Sequence, residues 1–145
     1  MKTRLWLRPD ILALAAATAI LAFWWSVGAG RELWFDERFV QVVSRMKWPE
    51  MFDLLRYENN PPLFFFLANI WQRAVGSNEV ALRILTLAPT IGLLAVIRSL
   101  ANKLAGSHIA ALSVILTSVS GMVVAQAGEF RMYPWLTLWA ALALL

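Results

Sequence analysis

The sequence predicts an all-α integral membrane protein: a polytopic helix bundle with a large external loop, carrying short interfacial helices, after the first span. Three observations lead there. Of its 145 residues 60% are hydrophobic, with 8 Trp and 8 Phe, more apolar surface than a soluble chain of this length hides, whereas a bilayer removes the need to hide it. The apolar residues fall in long uncharged runs, while acids and bases gather between about residues 31 and 80. Part of the +4 formal charge sits in Lys2, Arg4 and Arg8, beside the first run, where the positive-inside rule places it. The remaining basic residues are scattered rather than patched, which excludes nucleic acid as the expected partner. With no cysteine, disulfides, thiolate chemistry and Cys-ligated metals are excluded.

The first span covers about 11–29. It is Ala/Leu-rich, closes on Phe23-Trp24-Trp25, and ends at Gly28-Ala29-Gly30; tryptophans at the end of an apolar run suit the headgroup level. A cleavable signal peptide competes with this reading, but more apolar segments follow and the run is long for a signal core. The external loop covers about 31–80. Phe35, Phe39, Val42, Val43 and Met46 recur at helical spacing and predict a helix from about Leu33 to Lys47, ended by Trp48-Pro49. A short helix from Glu50 to Arg56 follows, then the turn Asn59-Asn60-Pro61-Pro62. Leu63 to Val75 is Phe- and Leu-rich but interrupted by Asn69, Gln72 and Arg73, which predicts an interfacial or bundle-packed helix rather than a span.

The second span covers about 82–102. Ser77 or Asn78 caps it, Glu79 suits its first turn, and Arg83 falls four residues on, positioned for a salt bridge with Glu79. Pro89 and Gly92 predict a kink. Gly106-Ser107 predicts a tight turn into the third span, about 107–126. A fourth, about 132–145, stops mid-pattern, short of the roughly 20 residues a span needs. The preferred reading is that 1–145 belongs to a longer protein; a short hydrophobic final helix is the alternative. Counting spans from a cytoplasmic N-terminus puts Asp36, Glu37 and Glu129 on the outer face.

Asp36 and Glu37 follow the first span closely. Neighbours on a helix point in different directions, so one is expected to face a site and the other solvent or a basic partner. A carboxylate there serves as general base or metal ligand, or simply as a first-turn acid. Gln126, Glu129, Arg131 and Tyr133 form a second polar group; a continuous helix would bring Gln126, Glu129 and Tyr133 to one face, and Arg131 offers a bidentate grip on phosphate. The plain alternative is a polar loop between spans. His108, the one histidine, lies away from the acids.

In this order the elements Trp34-Phe35-Asp36-Glu37, Asn60-Pro61-Pro62-Leu63, Glu79…Arg83 and Glu129-Phe130-Arg131-Met132-Tyr133 resemble the N-terminal part of the GT-C class membrane glycosyltransferases. The relevant family uses polyprenyl-phosphate sugars and includes the protein O-mannosyltransferases and the aminoarabinose transferase of lipid A. The resemblance implies an N-terminal GT-C transmembrane domain in a multi-pass protein of a bacterial or archaeal plasma membrane, with an external active site. It implies transfer of a hexose or pentose from a dolichyl- or undecaprenyl-phosphate donor to a hydroxyl of a lipid, glycan or protein. Asp36 is then the catalytic base, with Glu37 and Glu129 as further catalytic acids. Arg131, Tyr133 and Arg83 bind the donor phosphate, and Asp36 with Glu129 hold a divalent cation, Mg²⁺ or Mn²⁺, in those members that use one. Where the family commonly has histidine before the prolines this chain has Asn60, which cannot act as a base. This truncated chain is expected to need the remaining spans for activity. The alternative is a non-enzymatic polytopic membrane scaffold or a transporter fragment, which leaves the Asp-Glu and Arg-x-Tyr elements as coincidences.

Overall fold

Two helical arms joined at Gly106 form the spine on which the other elements pack. The computed structural model describes residues 9–145; Lys2, Arg4 and Arg8 lie outside the described residues, so the positive-inside argument that rested on them does too. The elements are α1 (Pro9–Gly28), α2 (Phe35–Val43), α3 (Trp48–Leu55), α4 (Pro62–Val75), α5 (Glu79–Ser118), α6 (Gly121–Ala127) and α7 (Tyr133–Leu142).

The start of α5 is set locally: Asn78 Oδ1 accepts the Ala81 N–H at 2.7 Å, satisfying one of the donors a helix start leaves open. Its break is also local. Gly106 has φ 82° and ψ 176°, a region open essentially to glycine alone. Beyond Gly106 the chain returns along itself. Val114 packs in one cluster with Leu94, Ala17, Leu21 and Ala127, although twenty residues of straight helix would separate Leu94 from Val114 by about 30 Å. Asp10, fully buried at the start of α1, pairs with Arg98 of α5 and so ties the two helices at that end.

A second cluster joins the elements of the 31–80 segment to the base of α5. Leu33, Val40, Val43, Met51, Leu55, Phe64, Phe65, Ala68, Leu82, Leu85, Phe130 and Met132 are its buried members. The polar interruptions of α4 belong to this packing. Asn69 Nδ2 donates to the carbonyls of Ser44 at 2.7 Å and Met46 at 3.1 Å, and its Oδ1 accepts the Trp48 indole N–H at 2.9 Å. Gln72 Nε2 donates to Gln41 O at 3.3 Å and to Ser44 Oγ. The end of α2 leaves carbonyls without helical partners, and the α4 amides supply them. Hence buried Asn and Gln in an otherwise apolar helix.

The structure keeps the all-α prediction and corrects the rest of the fold class. Among the described residues two helices, α1 and α5, have the length and apolar composition of membrane spans, not four. The predicted spans 82–102 and 107–126 fall on α5, which breaks at Gly106, and on the separate α6, while α7 has only 10 residues. Half of the most apolar window of α5 is buried inside the protein. Nor is 31–80 a large external loop with interfacial helices: α2, α3 and α4 contribute to the larger core, with Glu37 and Gln41 buried alongside Asn69 and Gln72. The polytopic, transmembrane and cell-membrane reading, and the localisation as a multi-pass plasma-membrane protein with a cytoplasmic N-terminus and an external site, rested on that span count and are corrected with it. The physical reason is that an apolar run satisfies a packed helical core as well as a bilayer; here packing takes up half of the α5 window, while the α1 window is 11% buried.

Candidate functional site

The polar centre is built where three segments meet: the turn after α1, the first turn of α2, and residues 128–132 between α6 and α7. Arg83, in the second turn of α5, reaches into it. Its Nε and Nη2 donate to Glu37 Oε1 at 3.1 Å and Oε2 at 2.8 Å, the two-pronged geometry that a guanidinium and a carboxylate favour. Both side chains are almost wholly enclosed, at 2% and 1% exposure. Arg83 Nη1 also donates to Ala29 O at 2.8 Å and Arg31 O at 2.6 Å, placing its charge where the carbonyl end of α1 attracts cations. Glu37 completes the arrangement: Oε1 accepts the Phe130 N–H at 2.6 Å and Oε2 the Trp34 N–H at 3.3 Å. The last bond is the reach-back of a third-position glutamate to the residue before its helix. Arg83 therefore pairs with Glu37 rather than with Glu79, the partner that helical spacing suggested.

Asp36 points elsewhere. Its Oδ2 accepts from Arg131 Nη1 at 2.8 Å, with the side chains 39% and 17% exposed. The Arg131 guanidinium lies 4.9 Å from the Tyr133 ring centre and 5.6 Å from that of Trp34, within reach of cation–π attraction to both. Asn60 lines the same small cavity as Asp36 and Arg131. Glu129 instead lines a cavity of about 330 Å³ with Arg31, Glu32, Trp34, Glu37, Arg83 and Gly128. Burial, and then the charge of Glu37, raise the Glu129 carboxyl above its ordinary value, against the opposing pull of Arg131, Arg31 and Arg83. A carboxyl whose affinity for its proton is raised beside an open cleft is a candidate general acid.

The predicted residues are thus brought to one end of the fold but divided between two cavities, with Trp34 lining one and facing the Arg131 of the other. Gln126 stands apart from the expected helical face, because α6 ends at Ala127 and residues 128–132 turn. The two carboxylates expected to share a cation line different cavities. Asp36 is engaged by Arg131, Glu129 lines the other cavity, and no group of three or more His, Cys, Asp or Glu side chains among the described residues is arranged for a metal ion. Sequence reasoning named Trp34 only as part of the Trp34-Phe35-Asp36-Glu37 element and gave Arg31 no place at the site, although both line the larger cavity.

No match decides the family. Comparisons with family models, with curated proteins and with solved structures return nothing similar to this chain. The GT-C resemblance therefore stands on its residues alone.

Proposed function

We propose that the chain is a non-enzymatic helical scaffold whose polar centre joins its own segments and presents a charged cleft at one end. The carrying observation is the Glu37–Arg83 lock. Both Glu37 oxygens and every Arg83 nitrogen are engaged within the protein, so two of the residues nominated for chemistry hold the α1 end, α2, α5 and the 128–132 turn together. The test is complementation of a strain lacking the gene. Asp36→Asn restores function as well as wild type does, whereas Glu37→Gln does not. Loss of function in Asp36→Asn at normal protein abundance would overturn the scaffold reading.

One observation favours a second reading, sugar transfer from a polyprenyl-phosphate donor. Asp36 and Arg131, 95 residues apart, meet at 2.8 Å with Tyr133 beside them and Glu129 nearby in sequence. In that reaction an acceptor hydroxyl oxygen bonds to the anomeric carbon, the bond from that carbon to the phosphate oxygen breaks, and the hydroxyl proton passes to Asp36. Arg131 would meet the charge developing on the departing phosphate. The donor chain would lie in the apolar groove of Leu63, Phe64, Leu67, Trp135 and Trp139. Transfer of a labelled sugar by the full-length protein, abolished in Asp36→Asn, would establish this reading; no transfer, or transfer unchanged by the substitution, would remove it.

A further inference from the structure

We propose that the cleft of about 330 Å³ between the turn after α1 and the 128–132 turn binds a basic α-amino acid, its carboxylate on Arg31 and its two cationic groups on Glu129 and Glu32. This rests on the scaffold reading, which it deepens by naming what the presented cleft takes, and it needs no sugar transfer.

The inner wall of the cleft is closed to a ligand. Glu37 and Arg83 line it, but both Glu37 oxygens and every Arg83 nitrogen are engaged within the protein. Their part is to fix the two sides. Arg83 donates to the carbonyls of Arg31 at 2.6 Å and Glu32 at 3.4 Å. On the other side Glu37 accepts the Phe130 N–H at 2.6 Å, one residue after Glu129. Arg31, Glu32 and Glu129 therefore project from backbone tied to one buried ion pair.

Those three side chains carry the unmet charge of the cleft. Among the described residues neither Glu32 nor Glu129 has a side-chain hydrogen bond or an ion pair. Arg31 Nε donates to Gly28 O at 3.1 Å. Its guanidinium lies over two glycines: a Cβ on Gly28 would meet Nη2 at 2.9 Å, and one on Gly128 would meet it at 3.9 Å. Arg31 thus reaches the residue before Glu129, yet none of its nitrogens comes within 4.0 Å of either carboxylate. Opposite charges that line one cavity without meeting suit a ligand that carries both signs. Burial and the Glu37 charge also hold the Glu129 carboxyl above its ordinary value, and an ammonium beside it offsets both effects.

The count of unmet charges selects the class. One guanidinium and two carboxylates complement one anion and two cations, which a basic amino acid supplies and a dicarboxylate or a diamine does not. The guanidinium fork matches a carboxylate. Half-buried Glu129 takes the α-ammonium, exposed Glu32 takes the side-chain cation, and Trp34 supplies an apolar wall for the methylenes between. The volume falls within the roughly 300–1,000 Å³ of small-molecule sites.

The test is calorimetric titration of the purified full chain with L-lysine, cadaverine, L-norleucine and glutarate. Lysine should bind saturably and glutarate should not bind. Cadaverine, which lacks the carboxylate, should bind about tenfold more weakly than lysine, the worth of one charge-assisted contact. Norleucine, which lacks the side-chain ammonium, should bind about threefold more weakly, because the contact it loses is exposed. Arg31→Gln should weaken lysine about tenfold and leave cadaverine unchanged, whereas Glu129→Gln should weaken both. If either variant misfolds, the four ligands on the wild-type chain decide. No saturable binding of lysine, cadaverine or norleucine bound as tightly as lysine, saturable binding of glutarate, or an Arg31→Gln loss equal for lysine and cadaverine overturns the proposal. Absent binding leaves the scaffold reading standing, and loss of complementation by Asp36→Asn ends that reading without altering the titrations.

Discussion

Arg83 and Glu37, 46 residues apart, form a two-pronged ion pair at 2.8 and 3.1 Å with almost no exposure. Removing one partner leaves a buried charge uncompensated, which costs about 3–5 kcal/mol. Arg83→Met and Glu37→Gln should therefore each lower the unfolding free energy by that order in denaturant titrations. The double variant should be less destabilised than the sum of the two, by more than about 0.5 kcal/mol. Additive effects would show that the pair is not the unit that holds this end of the fold.

The Asp36–Arg131 pair predicts the opposite balance. It is partly solvated, and pairs of that kind contribute about 0–1 kcal/mol. Asp36→Asn should leave stability within about 1 kcal/mol of wild type, so any loss of cellular function or transfer in that variant reports on chemistry rather than folding. A larger loss of stability would make Asp36 a structural residue and remove the basis of the transfer reading.

Glu129 predicts a pH dependence. Its carboxyl sits above the ordinary value of 4.5 through burial and the Glu37 charge. Between pH 4.5 and that raised value the native state binds more of a proton at this group than the unfolded chain does. The stabilising contribution is complete below pH 4.5 and is lost as pH rises through the raised native value. Glu129→Gln, which is neutral throughout, should be more stable than wild type at neutral pH, with the difference closing toward pH 4 as measured by thermal unfolding across a pH series. A variant less stable than wild type at neutral pH would contradict this.

Gly106 predicts a backbone cost. At φ 82° and ψ 176°, Gly106→Ala should destabilise by roughly 1–3 kcal/mol, although a Cβ there would meet no neighbour within 4 Å. Gly121, also in open space but at the start of α6, provides the control: Gly121→Ala should be neutral or stabilising. Equal effects of the two substitutions would mean that the return of the chain does not depend on Gly106.

Asn69 predicts the worth of a buried cap. Asn69→Leu keeps approximate size but strands the Ser44 and Met46 carbonyls and the Trp48 indole N–H, at about 1–3 kcal/mol for each group left unsatisfied. A loss below about 1 kcal/mol would show that water reaches those groups.

Local signals placed the helices well. Helical spacing and the flanking prolines put elements near α2, α3 and α4, Asn78 marked the start of α5, and Gly106 marked its break. Each depends on residues close in sequence: a side-chain cap, a fixed φ, a glycine-only conformation. The layered organisation did not follow, because an apolar run has the same spacing whether lipid or another helix covers it. Glu79 and Arg83 show the same limit at the site. Helical spacing allows that pair, yet Arg83 turns to Glu37, where burial and the backbone carbonyls after α1 offer more partners.

The sequence by itself determined an all-α chain, its helix starts and breaks, and which polar residues stood out from the apolar runs. The tertiary structure decided what those polar residues face. It separated adjacent Asp36 and Glu37 into a half-exposed pair with Arg131 and a buried lock with Arg83, and it set Asn69 and Gln72 under the end of α2. The reason is that local conformation is fixed by near neighbours, whereas the partner of a charge or an amide is fixed by whichever distant segment packing brings within about 3 Å.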